Sequence, residues 1–100
     1  MTYLLLEYTL VDDYLERRRP LREEHLSLAR AASDRGDLVL AGALADPADR
    51  ALLVWATEDE AVVTAFAEAD PYVREGLVAS WTIRPWTVVI GGPAAGPQSR

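Results

Sequence analysis

His25 and Asp70 are the two residues whose types, taken together, make catalysis conceivable in this chain. The single histidine sits in Leu21-Arg22-Glu23-Glu24-His25-Leu26, and the aspartate opens Asp70-Pro71-Tyr72. An imidazole held beside a carboxylate can move protons near neutral pH, because histidine titrates there and the acid fixes which ring nitrogen carries the proton. Each residue alone has a plainer reading. His25 suits a satisfied core histidine on a helical stripe, and Asp70 a turn residue that bonds nearby backbone N–H groups before proline. The two readings separate only if the fold brings the side chains together.

The elements that would position them are legible from periodicity. Tyr3 to Leu10 alternates as a strand, with Leu4, Leu6, Tyr8 and Leu10 on one side. Asp12 to Arg19 is a polar connection with room for a helical turn. Pro20 suits the first turn of a helix, Glu23 and Glu24 favour its positive end, and Gly36 suits its C-terminal stop. Leu21, His25, Leu28 and Ala32 draw one helical face. Leu38–Ala43 and Ala51–Thr57 read as a hairpin around Asp46-Pro47. Thr57 with Glu60 predicts a capping box for a second helix whose stripe is Val62, Ala65, Phe66 and Ala69. Asp70-Pro71 stops that helix. A last strand runs from about Leu77 to Ile90, bent at Pro85, and Gly91 to Arg100 reads as a flexible tail. Residues 1–90 are thus expected to form one domain and 91–100 a tail.

The order β-α-β-β-α-β is the ferredoxin-like arrangement, an α+β fold with a four-stranded antiparallel sheet in the order 4-1-3-2 and two helices on one face. In that topology the start of the first helix and the end of the second share one end of the domain. His25 lies about 7–8 Å along its helix from Pro20, at about 1.5 Å per residue, so a contact with Asp70 is within reach.

Composition narrows the chemistry. The chain has 100 residues and no cysteine, which removes disulfides and thiolate ligands or nucleophiles. One histidine falls short of the usual zinc sets, no Gly-x-Ser-x-Gly elbow surrounds Ser27, Ser33 or Ser80, and Gly91-Gly92-Pro93 opens no helix. No cofactor is called for. The net charge of −6, with every basic residue an arginine, makes nucleic acid a poor partner. Arg17-Arg18-Arg19 reads as a solvated helix entry beside Asp12, Asp13 and Glu16, with Arg22 the arginine best placed to hold an anionic ligand. The apolar start is too short to span a membrane and lacks a signal peptide's basic flank, so a cytoplasmic protein is expected.

The second face of the sheet carries its own expectation. Leu52-Leu53-Val54-Trp55 shows no alternation, and Val78, Ala79, Trp81, Ile83 and Trp86 spread over both faces. Soluble monomers rarely expose so large an apolar patch, so a two-fold, sheet-to-sheet homodimer is expected to cover it. Trp55, Trp81 and Trp86 then serve core or dimer packing before any ligand pocket. Glu7, opposite Leu6, reads as a solvated strand carboxylate, with the dimer cleft as its alternative.

Leu15-Glu16-Arg17-Arg18, Arg22-Glu23-Glu24-His25-Leu26, Gly36 to Gly42, Asp70-Pro71-Tyr72-Val73 with Gly76, and Ile83-Arg84-Pro85-Trp86 together resemble the YciI family, the YCII-related domain. The resemblance spans residues 3 to about 90. It implies a ferredoxin-like fold dimerising into an α+β barrel, and a histidine–aspartate centre at His25 and Asp70. Arg22 and Tyr72 match family positions that line the same region and are the expected substrate-binding residues. Where chemistry is assigned in the family, it resembles elimination from a small hydroxylated, halogenated aromatic. Two departures bear on the pocket mouth: Ala41-Gly42-Ala43 stands where the family often has Ala-Gly-Pro, and the hairpin loop is shorter than in many members.

The leading expectation is therefore a small cofactor-free enzyme of lyase or isomerase type, with His25 and Asp70 acting on a small polar or aromatic metabolite. A non-catalytic binding or accessory module, and a structural dimer, are the alternatives.

Overall fold

The alternation along the first strand sets the architecture. A computed structural model describes residues 2–91, and in it β1 (Thr2–Leu10) buries Leu4, Leu6, Tyr8 and Leu10 beneath the helices. The other elements are α1 (Tyr14–Arg17), a 3-10 turn (Arg19–Leu21), α2 (Arg22–Asp34), β2 (Leu38–Ala43), β3 (Arg50–Trp55), α3 (Glu60–Ala69), α4 (Pro71–Arg74) and β4 (Val78–Thr87). The sheet is antiparallel in the order β2-β3-β1-β4, which is the expected 4-1-3-2 read from the other edge. The expected tail lies outside the described residues except for Gly91.

Two helix ends are closed by glycine. The Gly36 N–H bonds the Ser33 carbonyl and the Asp37 N–H bonds that of Ala32, a double closure that needs the left-handed φ of +85° at Gly36. Gly76, at φ +81°, ends α4 in the same way, with Gly76 N–H on Val73 and Leu77 N–H on Tyr72. That closure fixes the short helix carrying Tyr72 against the start of β4.

Several local expectations shift. Pro20 falls in the 3-10 turn before α2. The cap of α3 is Asp59, whose Oδ1 accepts from the Ala61 N–H at 3.0 Å, while Thr57 Oγ1 accepts from the Asp59 N–H at 3.1 Å. The buried face of α3 is Val63, Phe66 and Ala67 with Val62 partly covered; Ala65 and Ala69 are exposed. β4 ends at Thr87, and Pro85 stays in register opposite Leu4. β4 is an edge strand, where a missing N–H is tolerated.

Register also corrects the second face. Trp81 and Ile83 stand opposite Tyr8 and Leu6, so they pack on the helix-covered side. The open side holds Leu5, Leu52, Val54, Leu40 and Trp86 toward one end, and Glu7, Thr9, Arg50, Ser80 and Thr82 toward the other. It is apolar over part of its length only. Trp55 is fully buried edge-on to Phe66, with ring centroids 5.1 Å apart.

Candidate active site

Asp70 is both the residue that ends α3 and the N-cap of α4. Pro71 forces it out of helical geometry, to φ −68° and ψ 122°, and Pro71 then occupies the first turn of α4, where its lacking N–H costs nothing. In this conformation Asp70 Oδ1 accepts the Tyr72 backbone N–H at 3.0 Å. The carboxylate is also held from two other elements. Tyr8 of β1 donates its O–H to Oδ2 at 2.8 Å, and His25 of α2 places Nδ1 2.9 Å from Oδ1 and 3.0 Å from Oδ2. Asp70 is the one buried polar or charged residue among those described, at 0% exposure, and it has donors from three directions. The turn reading and the pairing reading of Asp70 both hold, through one carboxylate.

An ionised carboxylate only accepts, so Nδ1 of His25 carries the proton and donates. In the neutral ring Nε2 then holds the lone pair, and it makes no hydrogen bond among the described residues. The imidazole lies almost parallel to the Tyr72 ring, with centroids 3.9 Å apart and planes at 9°. Phe66 approaches its edge at 6.4 Å. Stacking and the double contact to Asp70 together leave the ring little rotational freedom.

His25 lines a cavity of about 210 Å³ between α1, α2 and the sheet. Tyr8, Tyr14, Arg18, Arg22 and Tyr72 share that wall, and Ala41, Gly42 and Ala43 of edge strand β2 close it. Burial, the Tyr8–Asp70 hydrogen bond and the nearby carboxylate push the Tyr8 phenol well above the usual tyrosine range. Tyr72 is pushed up to about 12, chiefly by burial and by Tyr14, against the opposing pull of Arg22 and Arg18. Both phenols are therefore hydrogen-bond donors at physiological pH, not bases. The Tyr72 hydroxyl is buried and has no partner among the described residues.

All four expected site residues, His25, Asp70, Arg22 and Tyr72, meet at this end of the domain. Tyr8, Tyr14 and Arg18 were not expected. A tyrosine on the covered side of a central strand must find a partner for its hydroxyl, and that was a usable signal for Tyr8. Glu7 lies on the open face, bonded by Arg50 Nη1 at 2.9 Å, away from the cavity. Arg17 is taken up by Asp13 at 3.7 Å and by the Glu75 carbonyl at 2.9 Å. None of the three tryptophans lines the cavity. Among the described residues no group of three or more His, Cys, Asp or Glu could hold a metal ion, and no helix is long and apolar enough to cross a membrane.

Among solved structures the chain resembles 5-chloro-2-hydroxyhydroquinone dehydrochlorinase from Burkholderia phenoliruptrix AC1100, in complex with 2,5-dihydroxybenzoquinone. The match has 19% identity and a TM-score of 0.71, covering 85% of this chain and 93% of that one. Protein Atu4242 from Agrobacterium tumefaciens is similar at 17% identity and a TM-score of 0.60, covering 93% and 98% of the two chains. A NIPSNAP domain protein from Burkholderia xenovorans matches at 14% and 0.54, covering 93% and 99%. These likenesses establish the α+β fold. No curated protein matches the sequence. The model of the YCII-related domain matches residues 1–87, and the chain belongs to that family.

Proposed function

We propose that this protein is a cofactor-free enzyme of lyase or isomerase type, which uses His25 as general base and acid on a small cyclic metabolite. The supporting observation is the His25 ring itself: Nδ1 is anchored on buried Asp70 while Nε2 is uncommitted on a ring that lines the cavity. In the reaction a substrate O–H or C–H proton passes to Nε2. The electron pair left behind moves into the substrate's π system, and either a leaving group departs with its bonding electrons or the proton returns at another atom. Asp70 holds the imidazole in the productive tautomer and balances the imidazolium as it forms. Tyr72 supplies a hydrogen bond to a substrate oxygen. The structurally similar dehydrochlorinase, in complex with 2,5-dihydroxybenzoquinone, supports a ring of that kind as substrate.

A second copy of the chain is proposed to cover the apolar end of the open sheet face, where Leu5, Leu40, Leu52, Val54 and Trp86 line a depression of about 580 Å³. Sedimentation is expected to give twice the chain mass, and Leu52→Glu to give the single mass; a monomeric wild type would contradict the dimer.

The test of the chemistry is exchange of the ring hydrogens of 2,5-dihydroxybenzoquinone in D2O, followed by NMR. The protein is expected to speed exchange, and His25→Gln to abolish that effect with its circular dichroism unchanged. Equal exchange with and without protein, or full exchange in His25→Gln, would refute the proposed role.

A further inference from the structure

Arg18 and Arg22 are two of the five described arginines, with Arg19, Arg30 and Arg84, that have no acidic partner. Arg17, Arg35, Arg50 and Arg74 each have an acidic partner, whereas Arg18 and Arg22 have none among the described residues. Both line the 210 Å³ cavity together with His25. In a chain of net charge −6, two uncompensated cations facing one small space are a local reversal of sign. The buried carboxylate beside the site, Asp70, turns its oxygens to Tyr8, His25 and the Tyr72 N–H and forms no ion pair with either arginine. Arg18 also borders an adjoining groove with Asp12, Asp46 and Asp49, yet none of these acids pairs with it.

Arg18 is half-buried and set by aromatic packing. Its guanidinium carbon lies 5.3 Å from the centre of the Tyr14 ring, and Nη1 reaches the Tyr14 hydroxyl only at 3.4 Å. Tyr14 in turn meets Tyr72 edge-on at 5.6 Å, and Tyr72 stacks on His25. A continuous line of contacts thus runs from Arg18 to the reacting imidazole. The buried Tyr72 hydroxyl has no partner among the described residues, as is also true of the Tyr3 hydroxyl and Trp55 Nε1, but of the three residues only Tyr72 lines this cavity.

We infer that Arg18 and Arg22, with the Tyr72 hydroxyl, form an oxyanion clamp that makes this cavity select a single-ring metabolite bearing a carboxylate, phenolate or enolate. The inference rests on the cavity being the site proposed above. Guanidinium presents a planar fork of donors that suits two oxygens at once, which neutral amide or hydroxyl groups cannot match. The volume fits one ring: a cavity of about 150 Å³ already accommodates benzene, and about 210 Å³ leaves room for a few substituents. Arg18 is then the specificity-determining residue of the pair, because it is the less exposed and is placed by Tyr14.

The test is ligand-observed NMR titration of the full chain with pairs of equal size and different charge. Benzoate against benzamide reads the carboxylate arm, and 2,5-dihydroxybenzoquinone against the neutral 2,5-diaminobenzoquinone reads the enolate arm. Wild type is expected to favour the anion of at least one pair by tenfold or more. Arg18→Gln is expected to remove that preference while leaving the circular dichroism unchanged, and Arg18→Lys to restore part of it. Equal affinity within both pairs, no binding of any probe, or an unaltered preference in Arg18→Gln would each overturn the clamp. Charge-selective binding without ring-hydrogen exchange would refute the catalytic role of His25 alone; exchange without charge selectivity would refute the clamp alone.

Discussion

Glu7 and Tyr8 are neighbours on β1, and the carboxylates they serve meet opposite fates. Glu7 lies on the open face, where Arg50 bonds it at 2.9 Å with both side chains partly in water. Tyr8 points under the helices to Asp70, which has no exposure and also holds His25 and the Tyr72 N–H. The distances are alike and the energetics are not. An exposed pair contributes about 0–1 kcal/mol, because water competes for both ions. A buried carboxylate must be matched donor by donor, and each donor becomes a liability if the acid is removed. Burial converts an ordinary hydrogen-bonded acid into a device that fixes the orientation and protonation of His25.

That contrast is broken most severely by Asp70→Ala, which strands the His25 Nδ1–H, the Tyr8 hydroxyl and the Tyr72 N–H together. A loss of about 3–5 kcal/mol in urea-unfolding stability is expected. His25→Gln is expected to spare the fold but cut proton exchange about 10²–10⁴-fold, the usual worth of a positioned acid–base group. Tyr8→Phe removes one of Asp70's donors and should cost about 1–3 kcal/mol by the same unfolding assay. Glu7→Gln should change stability by no more than about 1 kcal/mol, and that small effect should shrink further in high salt. A Glu7→Gln cost as large as that of Asp70→Ala would erase the distinction between the two faces.

The two tyrosines sharpen the comparison through pH. In the unfolded chain a tyrosine ionises near about 10, whereas folded Tyr72 is held up to about 12 and Tyr8 is raised beyond the usual range. Above pH of about 10 the unfolded state therefore sheds these protons first and binds fewer than the folded state. The stabilisation is complete below that pH and is lost as pH climbs. Urea midpoints measured from pH 9 upward should fall, with a shallower decline in Tyr8→Phe.

Much of this was legible in the residues because a few of them leave little choice. The alternation of β1, Gly36 after a helical stripe and Asp70-Pro71 after another force the element order, and the order alone brings His25 to Asp70. Local details were degenerate. Thr57 and Asp59 are both good caps, and the structure uses both in one turn, Asp59 accepting the Ala61 N–H and Thr57 the Asp59 N–H. Ala61, Ala65, Ala67 and Ala69 make several sides of α3 equally apolar, so periodicity could not name the buried one. Tyr8, Tyr14 and Arg18 are not legible as site residues for a common reason. Their bodies fit core or surface patterns, and their polar ends acquire meaning only when β1 and α1 are set beside α2.

Because the chain has a single histidine, 15N NMR of histidine-labelled protein reports on the site without overlap. In the neutral ring the spectrum is expected to show a protonated Nδ1, bonded to a carboxylate, and an unprotonated Nε2. A neutral His25 protonated on Nε2, or averaging freely between tautomers, would mean that Asp70 does not hold the ring, and the proposed proton transfer would fall with it.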